Sequence, residues 1–131
     1  MDGHILEEML LKARRIYVKL TEFEDLTRQL AEAVDRRDEV SVQMLLNMRG
    51  EPAQQLWESG QQMQQYILAL PEDDAIRAKA LAEGAPQQAP EEAMLCAQVA
   101  QNQRLIARCQ ELDKHISQRM CGERSFYNKY R

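Results

Sequence analysis

The side chains best suited to chemistry here are two histidines and three cysteines, and their spacing gives them little to work with. His115 and Glu111 are four residues apart, so a helix would place them on one face. A zinc site or a proton relay needs further groups converging on such a pair. Cys109 and Cys121 flank His115 but match no zinc-ligand spacing, and the pair reads as an exposed ion pair. His4 sits close to the N-terminus. Cys96, Cys109 and Cys121 form no CxxC motif, and an odd count leaves one unpaired, as reduced thiols would be. No glycine-rich phosphate loop, GxSxG or HExxH occurs. Adjacent carboxylates such as Glu7 and Glu8 are ordinary on a solvated helix. The expectation is no enzyme, no cofactor and no metal site.

Binding is the chemistry that the remaining residues suit. Seven methionines stand against two phenylalanines. Met side chains adapt their shape, so they either fill gaps in a core or line a surface that accepts varied apolar partners. Met63 lies within QQMQQ (61–65), an uncharged polar run that another helix could approach without charge conflict. Asn102 and Asp113 fall on the apolar seam of the last helix. They fix register or partner number there, or else Leu105 and Leu112 mark the true stripe and the polar pair lies at its edge. Phe126, Tyr127 and Tyr130 form an aromatic tail among basic residues. Such a tail folds back on the bundle or anchors a partner with large apolar area and few rotors.

The elements that must position these residues are helices. The chain has 131 residues, enough for one domain, with only 5 Gly and 4 Pro. Ala, Leu, Glu, Gln and Arg dominate, and all favour helix. Aromatics make up only 5%, too few for a thick core but enough for helices zipped along narrow seams. A net charge of −4 argues against a nucleic-acid partner, which needs surplus Lys and Arg. The richest basic stretch is C-terminal, where Arg119, Arg124, Lys129 and Arg131 outnumber Glu123. The N-terminus, MDGHILEEML, carries acids where a signal peptide carries positive charge. No run approaches the ~18 apolar residues of a membrane span. A cytoplasmic protein without membrane insertion is expected.

Apolar ladders fix the helices. Leu6, Met9, Ala13, Ile16, Leu20, Phe23, Thr27, Leu30 and Val34 alternate by three and four, the heptad signature of a helix packed on another. The pairs Glu8–Lys12, Glu24–Arg28 and Glu32–Arg36 suit its solvent face. Thr21-x-x-Glu24 resembles a capping box, but the unbroken ladder makes it internal. At Asp35–Asp38 either Asp38 caps a second helix or the first runs through. The ladder resumes at Val42, Leu46, Arg49, Ala53, Leu56, Gly60, Met63, Ile67 and Leu70, with a kink or break expected near Pro52. A short helix follows Pro71 and ends at Gly84, and a flexible linker spans about 84–90. The last helix, from about Glu91 to Met120, stops at Gly122 and leaves an aromatic tail at 122–131. Its ladder is Leu95, Val99, Asn102, Ile106, Cys109, Asp113, Ile116 and Met120. The reading is an all-α, antiparallel bundle of three long coiled-coil-like helices plus a short one, in a single domain spanning 1–131.

The order of these features resembles the FlgN-type flagellar export chaperones, small acidic helical proteins of the bacterial cytoplasm. The likeness rests on a long first helix ending in the polar break of AVDRRDEVSVQMLLNMRGE, with Leu45, Leu46 and Arg49 after it. It also rests on Asn102, Leu105 and Ile106 as an NxxLI-like element and on the closing GERSFYNKYR. Gly50-Glu51-Pro52 departs from the uninterrupted second helix of that pattern. The resemblance implies binding of C-terminal helical segments of hook-associated, hook–filament junction proteins and delivery to the export gate. An amphipathic helix would complete an under-filled bundle. Leu95, Val99, Leu105, Ile106, Leu112 and Ile116 would supply the apolar contact, with Phe126, Tyr127 and Tyr130 touching client or gate. The same ladders equally suit a self-associating coiled-coil scaffold, a homodimer without an export client.

Overall fold

The first helix is set by the ladder that starts at Leu6. In the computed structural model, which describes the backbone of residues 1–129 and side chains as far as Cys121, α1 spans Gly3–Asp35. Asp2 caps it, its carboxylate accepting from the backbone N–H of His4 at 3.0 Å. Leu6, Met9, Ala13, Leu20, Thr27, Leu30 and Val34 of the ladder are all buried. Thr21 is internal and donates its hydroxyl to the Tyr17 carbonyl at 2.9 Å, as mid-helix threonines do. Glu24 departs from the expected solvent face: it is buried at 7% exposure and pairs with both Arg28 and Arg108.

The first helix does not run through Asp38. Arg37 takes a left-handed conformation, φ 58°, which turns the chain. Asp38 then caps α2 (Glu39–Leu68), accepting from the Ser41 N–H at 3.1 Å and its hydroxyl at 2.6 Å. These bonds hold the Asp38 carboxyl below its ordinary value. The break expected near Pro52 does not occur: α2 is one helix with Pro52 inside it. Proline costs its helix about 3 kcal/mol. Here the turns on either side are tied down through Leu45, Met63 and Ile67, all buried.

A short helix, α3 (Glu72–Ala82), starts with three acids in its first turn, favourable to the helix dipole. Gly84 follows with φ 98°, a left-handed conformation that selects glycine; a Cβ there would come within 2.6 Å of the end of the Gln103 side chain, which would have to shift. The segment 84–90 is tied to its flanks by one clamp. The Arg77 guanidinium grips Glu92 with two bonds, at 2.7 and 3.1 Å, and donates to the Pro86 carbonyl at 2.9 Å. Glu92 also accepts from the Gln88 N–H at 2.8 Å, and together these bonds pull its carboxyl down to about 2. A single 3-10 turn (Pro90–Glu92) leads into α4 (Ala93–Lys129). The stop expected at Gly122 is therefore absent. An interior glycine costs a helix only about 1 kcal/mol, which good neighbouring helix formers offset.

The architecture is an all-α bundle with α1 at its centre. Lys12 lies over the Tyr66 ring and Arg49 over the Phe23 ring, so α2 runs antiparallel to α1. Asn102 bonds to Ala13, Arg108 to Glu24 and His115 to Asp35, so α4 runs parallel to α1 and antiparallel to α2. The order is up, down, up, with α3 carrying the chain back. The core gathers at two ends. One cluster joins Leu6, Met9, Met63, Ile67, Ala78, Leu81, Leu95 and Val99. The other joins Leu30, Val34, Leu45 and Ile116, with Leu112 and Met120 against it.

Candidate partner-binding site

The last helix holds six of the apolar residues assigned to partner contact, and the fold separates them. Leu95, Val99, Leu105 and Ile116 are buried within the bundle's own core. They meet a partner only if α4 separates from α1. Leu112 is half-buried, in a depression of about 440 Å³ beside Arg28, Ala107, Arg108 and Glu111. Ile106 is 39% exposed. At 100° per residue, Ile106 and Leu112 sit about 120° apart around the helix and face different flanks. Phe126, Tyr127 and Tyr130 lie outside the residues whose side chains are described.

The seam of α4 follows Leu95, Val99, Asn102, Leu105, Cys109 and Ile116, so Leu105 replaces Ile106 in the expected ladder. Both readings of the polar pair have a part. Asn102 is in the seam, buried, and donates to the Ala13 carbonyl at 2.9 Å across the bundle. Asp113 lies at the edge and pairs with Arg49 of α2 at 3.1 Å. His115 pairs with Asp35 of α1 at 2.9 Å rather than with Glu111, and Arg119 reaches the same carboxylate. Cys109 is buried, and burial pushes its thiol up, which keeps it protonated and unreactive. The cysteines are free, and no cluster of three metal-ligating side chains occurs among the described residues.

The Arg49–Asp113 pair fixes how α2 and α4 face each other. Counting seven residues on along α2 and seven back along α4, two turns each, puts Leu56 and Ile106 at about the same level of the two helices. Two turns further, Met63 comes opposite Val99, and both are buried with α3 in one cluster. The seam between the helices is thus closed at one end by an ion pair and at the other by α3. Between those closures no Cα of α2 lies within 8 Å of one of α4, whereas packed helices bring their axes to about 8–10 Å. Ala53 is exposed, Leu56 half-buried, and a methyl at Gly60 would meet no atom within 4 Å. The open stretch spans residues 49–63 of α2, about 20 Å.

This seam has an apolar lining of Leu56 and Ile106, small residues at Ala53 and Gly60, and one charge pair at its mouth. It offers no proton donor or nucleophile. What it can do is accept side chains from a third helix. The sequence signalled its members but placed Ala53, Leu56 and Gly60 in a closed ladder. Their openness follows from the separation of α2 and α4, which no local pattern records. No helix among the described residues is long and apolar enough to cross a membrane. Comparison with protein-family models, curated proteins and solved structures gives no match to this chain.

Proposed function

We propose that this chain is a cytosolic, non-enzymatic chaperone that seats an amphipathic helix of a client protein in the open seam between α2 and α4. The observation that carries the reading is the seam itself: two long helices rest on α1, and no Cα of one lies within 8 Å of a Cα of the other. A fourth helix there would complete the bundle. The resemblance to FlgN-type chaperones supplies the client class, the C-terminal helical segment of a hook-associated protein destined for the export gate. The aromatic residues Phe126, Tyr127 and Tyr130 stand as further contacts for client or gate. The buried residues of α4, Leu95, Val99, Leu105 and Ile116, join the contact where the client loosens α4 from α1.

The test is fluorescence anisotropy of a labelled peptide bearing the C-terminal helix of a hook-associated protein, titrated with the full chain. Saturable binding is expected, with at least a tenfold loss in Leu56→Asp and in Ile106→Asp. Both variants should keep wild-type helical content, because neither side chain is fully buried. Binding that survives both substitutions would remove the seam as the site. No binding of any such peptide by a folded chain would remove the client class.

A further inference from the structure

We propose that a second copy of this chain covers the outer face of α2, the two second helices pairing antiparallel about a two-fold axis level with Gln55. The proposal goes beyond the client-binding reading: its face is centred on Trp57 and shares only the edge residues Ala53 and Gly60 with the seam, while Leu56 lies about 100° round the helix from Trp57. Leu46, Gly50, Ala53, Trp57, Gln61, Gln64 and Leu68 recur every three or four residues and so lie along one face. Among the described residues nothing covers it: Trp57 is 62% exposed and Leu68 80%.

Three observations select a second copy as occupant. The first is charge. The chain carries a net −4, so like chains repel unless they meet on neutral ground. This face has none of the charges of α2 between Val42 and Leu68. Arg49 is engaged with Asp113 and Phe23. Glu51 and Glu58 lie about 100–120° round the helix from Trp57. The second is the glycines. Gly50 and Gly60 each weaken the helix relative to alanine. A Cβ at either would meet no atom of this chain, so no internal contact needs their smallness. A backbone approaching from outside does.

The third is self-complementarity. Antiparallel pairing centred on residue 55 sets Gly50 opposite the partner's Gly60. It sets Trp57 opposite the partner's Ala53, a large side chain over a small one, and this occurs twice by symmetry. Leu46 meets the partner's Gln64, and Leu68 meets the partner's Val42. The stretch from Leu46 to Leu68 is about 33 Å long. Two helices in contact over it bury on the order of 1,000 Å² in total, the low end for a specific interface. Contacts of this size are characteristic of weak, reversible association, so the dimer is expected to dissociate on dilution, with a dissociation constant on the order of micromolar or weaker.

Sedimentation equilibrium of the full chain, from about 1 to 300 µM, spans the range that such a dissociation constant requires. The mass should rise from 15.2 kDa toward twice that value. Gly50→Leu points into open space within the monomer, so it should keep or raise thermal stability while weakening association at least tenfold. Trp57→Asp should hold the protein monomeric. Ile106→Asp, which strikes the client seam on α4, should leave association unchanged. A wild-type chain that stays at 15.2 kDa throughout would overturn the dimer. So would a Gly50→Leu variant that associates like wild type. Neither result touches client binding, which the peptide titration reads separately.

Discussion

The first two helices are nearly equal in length, 33 and 30 residues, yet α1 buries eleven side chains and α2 only three. Both carry heptad ladders, that of α2 interrupted by Arg49 and Gly60. The difference arises from position: α1 is packed on two sides, by α2 and by α4, while α2 leans on α1 along one stripe. One helix therefore holds the fold and the other presents surface. The same contrast shows in their special residues. The polar groups of α1 are absorbed, Glu24 by two arginines and Thr27 by the Phe23 carbonyl at 2.7 Å. The breakers of α2, Gly50, Pro52 and Gly60, are tolerated in the open.

Truncation is the strongest way to break that comparison. Leu30 is fully buried in α1, and Leu30→Ala should cost about 2–5 kcal/mol in urea unfolding. Leu68 in α2 is 80% exposed, and Leu68→Ala should stay within about 0.5 kcal/mol in dilute solution. Equal losses at the two positions would mean that α2 is as firmly packed as α1.

Most of the α1 side of this contrast is legible in the sequence. From Leu6 to Val34 the ladder residues are buried except Ile16 and Phe23, which are half-buried. The α4 ladder slips at its middle for a geometric reason. A strict 3.5-residue repeat drifts about 20° per heptad from a straight helix of 3.6 residues per turn. Extending the ladder from Val99 therefore lands on Ile106 and Asp113, while the buried position moves to Leu105 and Leu112 packs half-buried against the core. Glu24 and His115 were misplaced because their partners, Arg108 and Asp35, are more than 75 residues away in sequence. Only the parallel alignment of α1 and α4 brings them together. The open seam was illegible for the same reason: Leu56 and Gly60 read as core until the separation of α2 from α4 is known.

A change of pH probes the connection between α3 and α4, which brings the chain from α2 to α4. The Arg77 clamp and the Gln88 N–H hold the Glu92 carboxyl at about 2, below its ordinary 4.5. The folded state thus favours the ionised form. Its contribution is complete above pH 4.5 and disappears as pH falls toward 2. Glu92→Gln should lower the melting temperature at pH 7, and the gap to wild type should close over that acidic window. A gap that persists unchanged at pH 2 would show that the clamp does not depend on charge. At the opposite end of the bundle, Asp38→Ala removes the cap of α2 and should cost about 1 kcal/mol.

The smallest expected effect is the most direct measure of what α2 is for. Gly50→Ala and Gly60→Ala each add a methyl that meets no atom of the chain. In a monomer each should stabilise by about 0.5–1 kcal/mol, because alanine loses less backbone freedom on folding. The sites are ten residues apart, about 15 Å along the helix, so the gains should add. At dilution the double variant should therefore melt higher than wild type. At high concentration the two proteins differ in a second way. If glycines let a partner's backbone approach, wild type gains stability from association by mass action, and the variant gains less. The advantage of the variant should then shrink as concentration rises. A constant advantage would mean that the open face of α2 stays open, and that its glycines serve no contact at all.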